Sequence, residues 1–282
     1  MKRLARIVAL VLPLALAVGG CAGSSGPGRP LPILTPDERI ELGRAIAPQL
    51  ENEYGGRLAD LAVQAYVRTV GERLARALPV PAAPFRFMVL AGDDIDLFAV
   101  PGGTIYITAG LLGKLESEGE LAAALGHQMG HIAAGHLASE LTRMVGYGGL
   151  VEAAAEAARR SPVEPSAASM DRFVQITGAV RRLKYTLEME QEADRLALDY
   201  LAASGYNPAE VARLLALWAT LDGPNPPGLL RAHVAPDCRV RLARELADRK
   251  YPGRGGRVAE DEYRREILSR LKRDVPPPAE AP

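Results

Sequence analysis

Residues 127–131 read His-Gln-Met-Gly-His, and two side chains four apart on a helix are separated by about 40° around its axis. Both imidazoles therefore leave one face and can reach a single metal ion. A second pair of donors lies downstream, where Glu190 and Asp194 share the same spacing within Glu-Gln-Glu-Ala-Asp. One carboxylate of that pair can ligate the ion while the other accepts the N–H of a ligand histidine. Hydrolytic zinc sites commonly join two histidines and one carboxylate and leave a fourth position open to water. The expectation is one Zn²⁺ per chain, held in part by His127 and His131.

Gln128 limits that chemistry. In the hydrolytic form of the motif, His-Glu-x-x-His, the Glu takes a proton from water at the metal. An amide keeps the side-chain length but cannot serve as that base. The chain has four histidines. His136 stands nine residues after His127, about 180° around a continuous helix, and reads as a core or interhelix residue rather than a ligand. His233 falls in a loop far from the motif. It either reaches the open metal position, hydrogen-bonds an oxyanion, or is an ordinary surface histidine.

The elements that must position these groups are mostly helical. Thr35-Pro36-Asp37-Glu38 is a capping box with proline at the first helical position, opening a helix to about residue 53. Apolar spacing from Arg57 to Leu78 predicts a second helix. Short β-type runs follow at 84–90, 95–100 and 104–108, the last two joined by Pro101-Gly102-Gly103, a hairpin turn. A long helix from about Ser117 carries the histidine pair. Residues 137–187 are alanine-rich and loosely punctuated, which suits a helical lid or a partly ordered loop. Helical sequence resumes at 185–203, again after Asn207-Pro208, after Pro236-Asp237, and at about 260–273. The Pro-rich end reads as a disordered tail.

The 282 residues are 48% hydrophobic, enough for one full core, and carry 34 basic and 34 acidic side chains. Nothing in that balance suggests nucleic acid. Lys2, Arg3 and Arg6 precede an apolar run from Ile7 to Val18, too short for a membrane span. The run ends at Val18-Gly19-Gly20-Cys21, which resembles the bacterial lipobox, so Cys21 is the expected lipidation site and residues 1–20 the signal peptide. Without the three basic residues of that segment, 31 basic side chains face 34 acidic, a net −3. Residues 21–34 read as a Gly/Ser/Pro-rich tether. Ala22 after the cysteine resembles the sorting pattern for the outer membrane, with the protein facing the periplasm. Cys238 has no internal disulfide partner once Cys21 is acylated, and reads as a small buried apolar residue.

Four segments in order carry a resemblance to a known family. Phe98-Ala99-Val100-Pro101-Gly102-Gly103-Thr104-Ile105-Tyr106-Ile107, Glu120 to His131, Glu190 to Asp194, and Ala232-His233 with Arg239 resemble the motifs of HtpX and CAAX-prenyl-protease type gluzincin metallopeptidases. The likeness is strongest to their periplasmic lipoprotein members and runs along most of residues 35–247. It implies a mainly helical α+β zincin-like domain over 35–250, with a small sheet beside the histidine helix and a charged helix and tail over 251–282. It implies Glu190 as third zinc ligand and Asp194 as its helper. Asp96, Leu97, Phe98 and Ala99 become the substrate-edge strand. Three departures stand out: Gln128 for the base, Asp96-Leu97 for Asn-Ala, and Leu187 and Val234 for an Arg and a Pro. The implied function is a zinc endopeptidase of the bacterial envelope acting on misfolded or outer-membrane client proteins, impaired at Gln128. The alternative is an inactive pseudopeptidase that binds such clients as a chaperone or adaptor.

Overall fold

A computed structural model of the chain describes residues 34–78, 84–159, 166–221, 227–233 and 237–272. The expected signal peptide, Cys21, the expected tether up to residue 33, Val234 and the expected Pro-rich tail lie outside the described residues. Helix α1 (Pro36–Glu53) opens at the capping box read from the sequence, with Thr35 and Glu38 bonding each other's backbone N–H. Helix α2 (Leu61–Arg76) starts later than its apolar spacing implies. Asp60 is the reason, because its Oδ1 accepts the N–H groups of Ala62 and Val63 at 2.8 and 3.2 Å.

Strands β1 (Arg86–Leu90), β2 (Leu97–Val100) and β3 (Thr104–Thr108) form one sheet in the order β1-β3-β2. β2 and β3 are the hairpin, antiparallel with Phe98 opposite Tyr106, while β1 pairs parallel to β3. Gly102 and Gly103 turn the hairpin at φ 83° and 89°. A Cβ on Gly102 would stand 2.6 Å from the Ile40 Cα, so this bare turn is what lets the hairpin rest on α1.

After the short α3 (Ala109–Leu112), α4 (Glu118–Ala133) runs through the centre of the molecule. Every residue from Glu118 to His131 is buried. The Ser117 Oγ accepts the Glu120 N–H at 3.0 Å and sets its start. Glu118 is the most heavily bonded carboxylate at that end. It accepts from the Tyr66 and Tyr206 hydroxyls at 2.5 and 2.6 Å and from two nitrogens of Arg257 at 2.6 and 3.0 Å.

The alanine-rich stretch that sequence leaves open forms three helices, α5 (His136–Val145), α6 (Tyr147–Ala158) and α7 (Ala167–Arg181). Helix α8 (Leu187–Ser204) then packs along α4. A Cβ on Gly130 would lie 2.9 Å from the Ala193 carbonyl oxygen, so the glycine lets the two helices approach closely. Helices α9 (Glu210–Thr220), α10 (Gly228–Ala232), α11 (Asp237–Lys250) and α12 (Glu260–Tyr263) complete the fold. The last continues through a π-type turn, Arg264–Leu268. The architecture is the mainly helical one with a small sheet beside the histidine helix. Cys238 is a free thiol and only half-buried, less enclosed than the sequence suggests. Among the described residues no helix is long and apolar enough to cross a membrane.

Candidate metal centre

His127 and His131 leave the same face of α4 because they are one turn apart, and α8 brings Glu190 opposite them across the Gly130 contact. The loop after α10 adds His233. These four residues offer ligand atoms within 4.8 Å of one another, and all four are buried. The His127 Nε2 lies 3.1 Å from the His131 Nε2 and 3.2 Å from the His233 Nδ1. The Glu190 Oε1 lies 3.3 Å from the His131 Nε2 and 2.9 Å from the His233 Nδ1. Donors about 2.0–2.1 Å from a tetrahedral ion stand roughly 3.3 Å apart, so the separations suit one zinc-sized ion. His233 is therefore neither solvent-exposed nor distant. It is the fourth member of the donor set.

A shell of buried groups aims these donors. The His127 Nδ1 is 3.0 Å from the Asp194 Oδ1, the orienting carboxylate expected from the Glu190/Asp194 spacing. Arg239 on α11, fully buried, binds both Asp194 oxygens at 2.8 Å and the Glu190 Oε2 at 2.5 Å. The Tyr185 ring stacks on His131 at 3.8 Å, and Trp218 meets His127 edge-on at 5.4 Å. The His131 Nδ1 lies 3.1 Å from the His136 Nδ1, whose other nitrogen reaches Glu192 at 3.4 Å. His136 is thus no ligand, as its position in sequence implies, but it does not face away from the site either. The helix ends at Ala133, and Gly135 at φ 79° reverses the chain, so the 180° offset of a continuous helix does not apply.

Burial dominates the electrostatics. It holds His127 below the usual imidazole range and His131 well below it, against the opposing pull of Asp194 and Glu190. Both rings are thereby neutral and ready to ligate. Burial alone would raise Glu190, but the surrounding histidines outweigh it and hold the carboxyl well below its ordinary value. The Arg239 guanidinium offsets one of the two carboxylates, Glu190 and Asp194, and a divalent cation can offset the other.

Gln128 faces the cleft side of this cluster. Its Nε2 lies 2.8 Å from the His233 Nε2 and 3.3 Å from the Leu97 carbonyl oxygen. Its Oε1 is buried without a partner among the described residues. The edge strand runs alongside. Asp96, Leu97, Phe98 and Ala99 are all 9% exposed or less and line a narrow cleft with Gln128, Tyr185 and His233. The Leu97 N–H is already taken by the Asp96 Oδ1 at 2.9 Å, and the other Asp96 oxygen accepts from the Tyr54 hydroxyl at 2.6 Å. Leu187, 41% exposed, makes no part of the donor set.

A helix presenting two histidines, a second helix presenting a carboxylate, and an edge strand beside them define a zinc-metallopeptidase type of centre. The model of Peptidase family M48 matches residues 61–247, and the chain belongs to that family. M48 metallopeptidases use zinc, and the buried donor set here can bind one ion. Among its relatives are the beta-barrel assembly-enhancing proteases of Yersinia pestis, 28% identical over 66% of this chain, and of Escherichia coli K12, 26% identical over 66%. The chain spans only 39% of the length of each of those relatives. The metalloprotease LoiP of Escherichia coli is 25% identical over 74% of this chain and 76% of its own length.

Proposed function

We propose that this chain is a zinc endopeptidase-type lipoprotein of the bacterial envelope that handles misfolded or outer-membrane client proteins, with peptide hydrolysis curtailed by Gln128. Within family M48 the proposed type is that of HtpX and the CAAX prenyl proteases, on the resemblance of residues 98–107, 120–131 and 190–194, and of Ala232-His233 with Arg239. The outer-membrane clients are suggested by the β-barrel assembly for which two of the relatives are named. The observation that carries the reading is the Gln128 amide beside a complete donor set. His127, His131 and Glu190 would hold a zinc ion, which would supply Lewis acidity toward water and a peptide carbonyl. Asp194 and Arg239 fix the ligands. Gln128 can hydrogen-bond in the cleft but can carry no proton from water to a leaving amine.

Client segments would lie along β2 and bond its main chain. Ala99 lines the cleft there, whereas Leu97 is engaged by Asp96 and Gln128, so docking at Leu97 requires those contacts to part. The second reading, a client-binding pseudopeptidase, is favoured by His233. Four protein donors make the closed set of a structural zinc site rather than the open one of a catalytic site.

Cleavage of an unfolded protein such as casein by the native chain and by Gln128→Glu separates the two. The peptidase reading expects the native rate barely above background and a gain of at least ~10²-fold in the variant, the lower end of what a positioned base contributes. Equal rates would mean that Gln128 is not limiting, and silence from both would leave the binding reading standing. Lipid anchoring through Cys21 is tested by Cys21→Ser, which should move the protein from the membrane fraction to the soluble periplasm. An unchanged distribution removes the anchor from the proposal.

A further inference from the structure

Behind the β2–β3 turn lies a pocket that none of the four metal donors lines. Its enclosed space is about 110 Å³, and Leu42 of α1, Val100 of β2, Ile132 at the end of α4, Leu141 of α5 and Leu150 of α6 form its apolar walls. At Gly135, between α4 and α5, a Cβ would meet nothing within 4 Å. The chain reversal there leaves the pocket uncrowded. One charged side chain lines it. Arg39 is half-buried, and its guanidinium has no hydrogen-bond or salt-bridge partner among the described residues.

Size and charge together narrow the occupant. An apolar cavity of about 150 Å³ takes up benzene, so this smaller one suits a single branched aliphatic group and is too small for a long acyl chain. The hollow with its solvent-open mouth spans about 740 Å³, which allows the rest of a ligand to continue outward. A half-desolvated guanidinium at the rim calls for a carboxylate. An apolar side chain, an adjacent carboxylate and a body extending into solvent together describe the end of a polypeptide.

We infer that this pocket holds the C-terminal residue of an extended polypeptide, its side chain in the cavity and its α-carboxylate on Arg39. The inference rests on the reading of polypeptide clients above and gives them an anchoring contact away from the metal donors. Val100 and the hairpin glycines continue directly from the edge strand, and Ile132 follows ligand His131 by one residue, so the pocket adjoins both parts of the centre.

The probe is an N-terminally fluorescein-labelled Gly-Ser peptide ending in leucine, added to the purified full chain and followed by anisotropy. The free acid should bind at least ~10-fold more tightly than the C-terminal amide, the effect of a hydrogen bond to a charged group. Arg39→Gln should abolish that distinction, and Ala138→Leu, at an exposed position lining the pocket, should block both peptides without loss of helix. Equal binding of acid and amide, or no effect of Arg39→Gln, overturns the inference. Binding of free 4-methylpentanoate as tight as that of the peptide overturns it in favour of a small-acid site. Casein cleavage by Gln128→Glu, with and without Arg39→Gln, is recorded in parallel. Failure of peptide binding with cleavage intact discards this pocket alone, and absence of both discards this pocket and the peptidase reading together.

Discussion

Asp96 is 9% exposed, and its burial raises the carboxyl above its ordinary range despite the bonds from Tyr54 and the Leu97 N–H. The folded chain therefore holds this proton more tightly than the unfolded chain, and the ionised form costs stability at neutral pH. Asp96→Asn removes that cost. The metal-free variant should melt above the native protein at pH 7, and the difference should close as pH falls below about 4, where an unfolded aspartate is itself protonated. A lower midpoint for the variant at pH 7 would mean that the two charge-assisted bonds outweigh the burial. At this scale sequence goes far for groups that act locally and fails for the rest. His127, His131 and the Glu190/Asp194 pair declare themselves by helical spacing. His233 and Arg239 have no such mark, since each meets Glu190 from more than 40 residues away. Residue type alone leaves His233 an open candidate, and only the resemblance singles out Arg239. Tyr185 and Trp218 look like ordinary core aromatics until the packing sets them against the imidazoles.

At Gly130 helix α4 meets the backbone of α8 directly. A methyl group on Gly130 would press on the Ala193 backbone at 2.9–3.0 Å, whereas one on Gly148 in α6 would meet nothing within 4 Å. Alanine is the better helix former by about 1 kcal/mol. Gly148→Ala should therefore stabilise by about 0.5–1 kcal/mol. Gly130→Ala should destabilise, because overpacking costs ~1–3 kcal/mol, and should weaken zinc binding by moving Glu190. Chemical denaturation and zinc titration of both variants check the pair. Equal stabilisation by the two would show that α8 yields freely. Element boundaries were legible where a cap is present, as at Thr35 and Ser117, and were displaced where a downstream cap prevailed, as at Asp60. The parallel pairing of β1 with β3 had no local signal, because chain order makes β2 the nearer neighbour of β1. Residues 137–187 carry too weak a period to separate three helices from a loop.

His127, His131, Glu190 and Asp194 are buried titrating groups gathered around one ion site, so zinc and pH should act on stability together. At 100 times its Kd an ion that binds only the folded state adds about 2.7 kcal/mol, or roughly 5–10 °C for a domain of this size. Burial lowers His127 and His131 in the folded chain. The unfolded chain thus binds more protons below about pH 6.5, and stability falls as pH drops through that range. Calorimetry with zinc and with chelator should show the full separation at pH 7.5 and little at pH 5, and metal analysis one zinc per chain, lost in His131→Ala/Glu190→Ala. Coincident melts at pH 7.5 would remove the ion from the fold. The Glu118 cluster has a different consequence, in time rather than in energy. Tyr66 and Glu118 leave the ribosome long before Arg257, 139 positions after Glu118, and synthesis proceeds at about 5–20 residues per second. For at least several seconds the growing chain lacks the guanidinium that holds the buried head of α4, so that end of the metal helix gains its full set of bonds only after Arg257 has emerged.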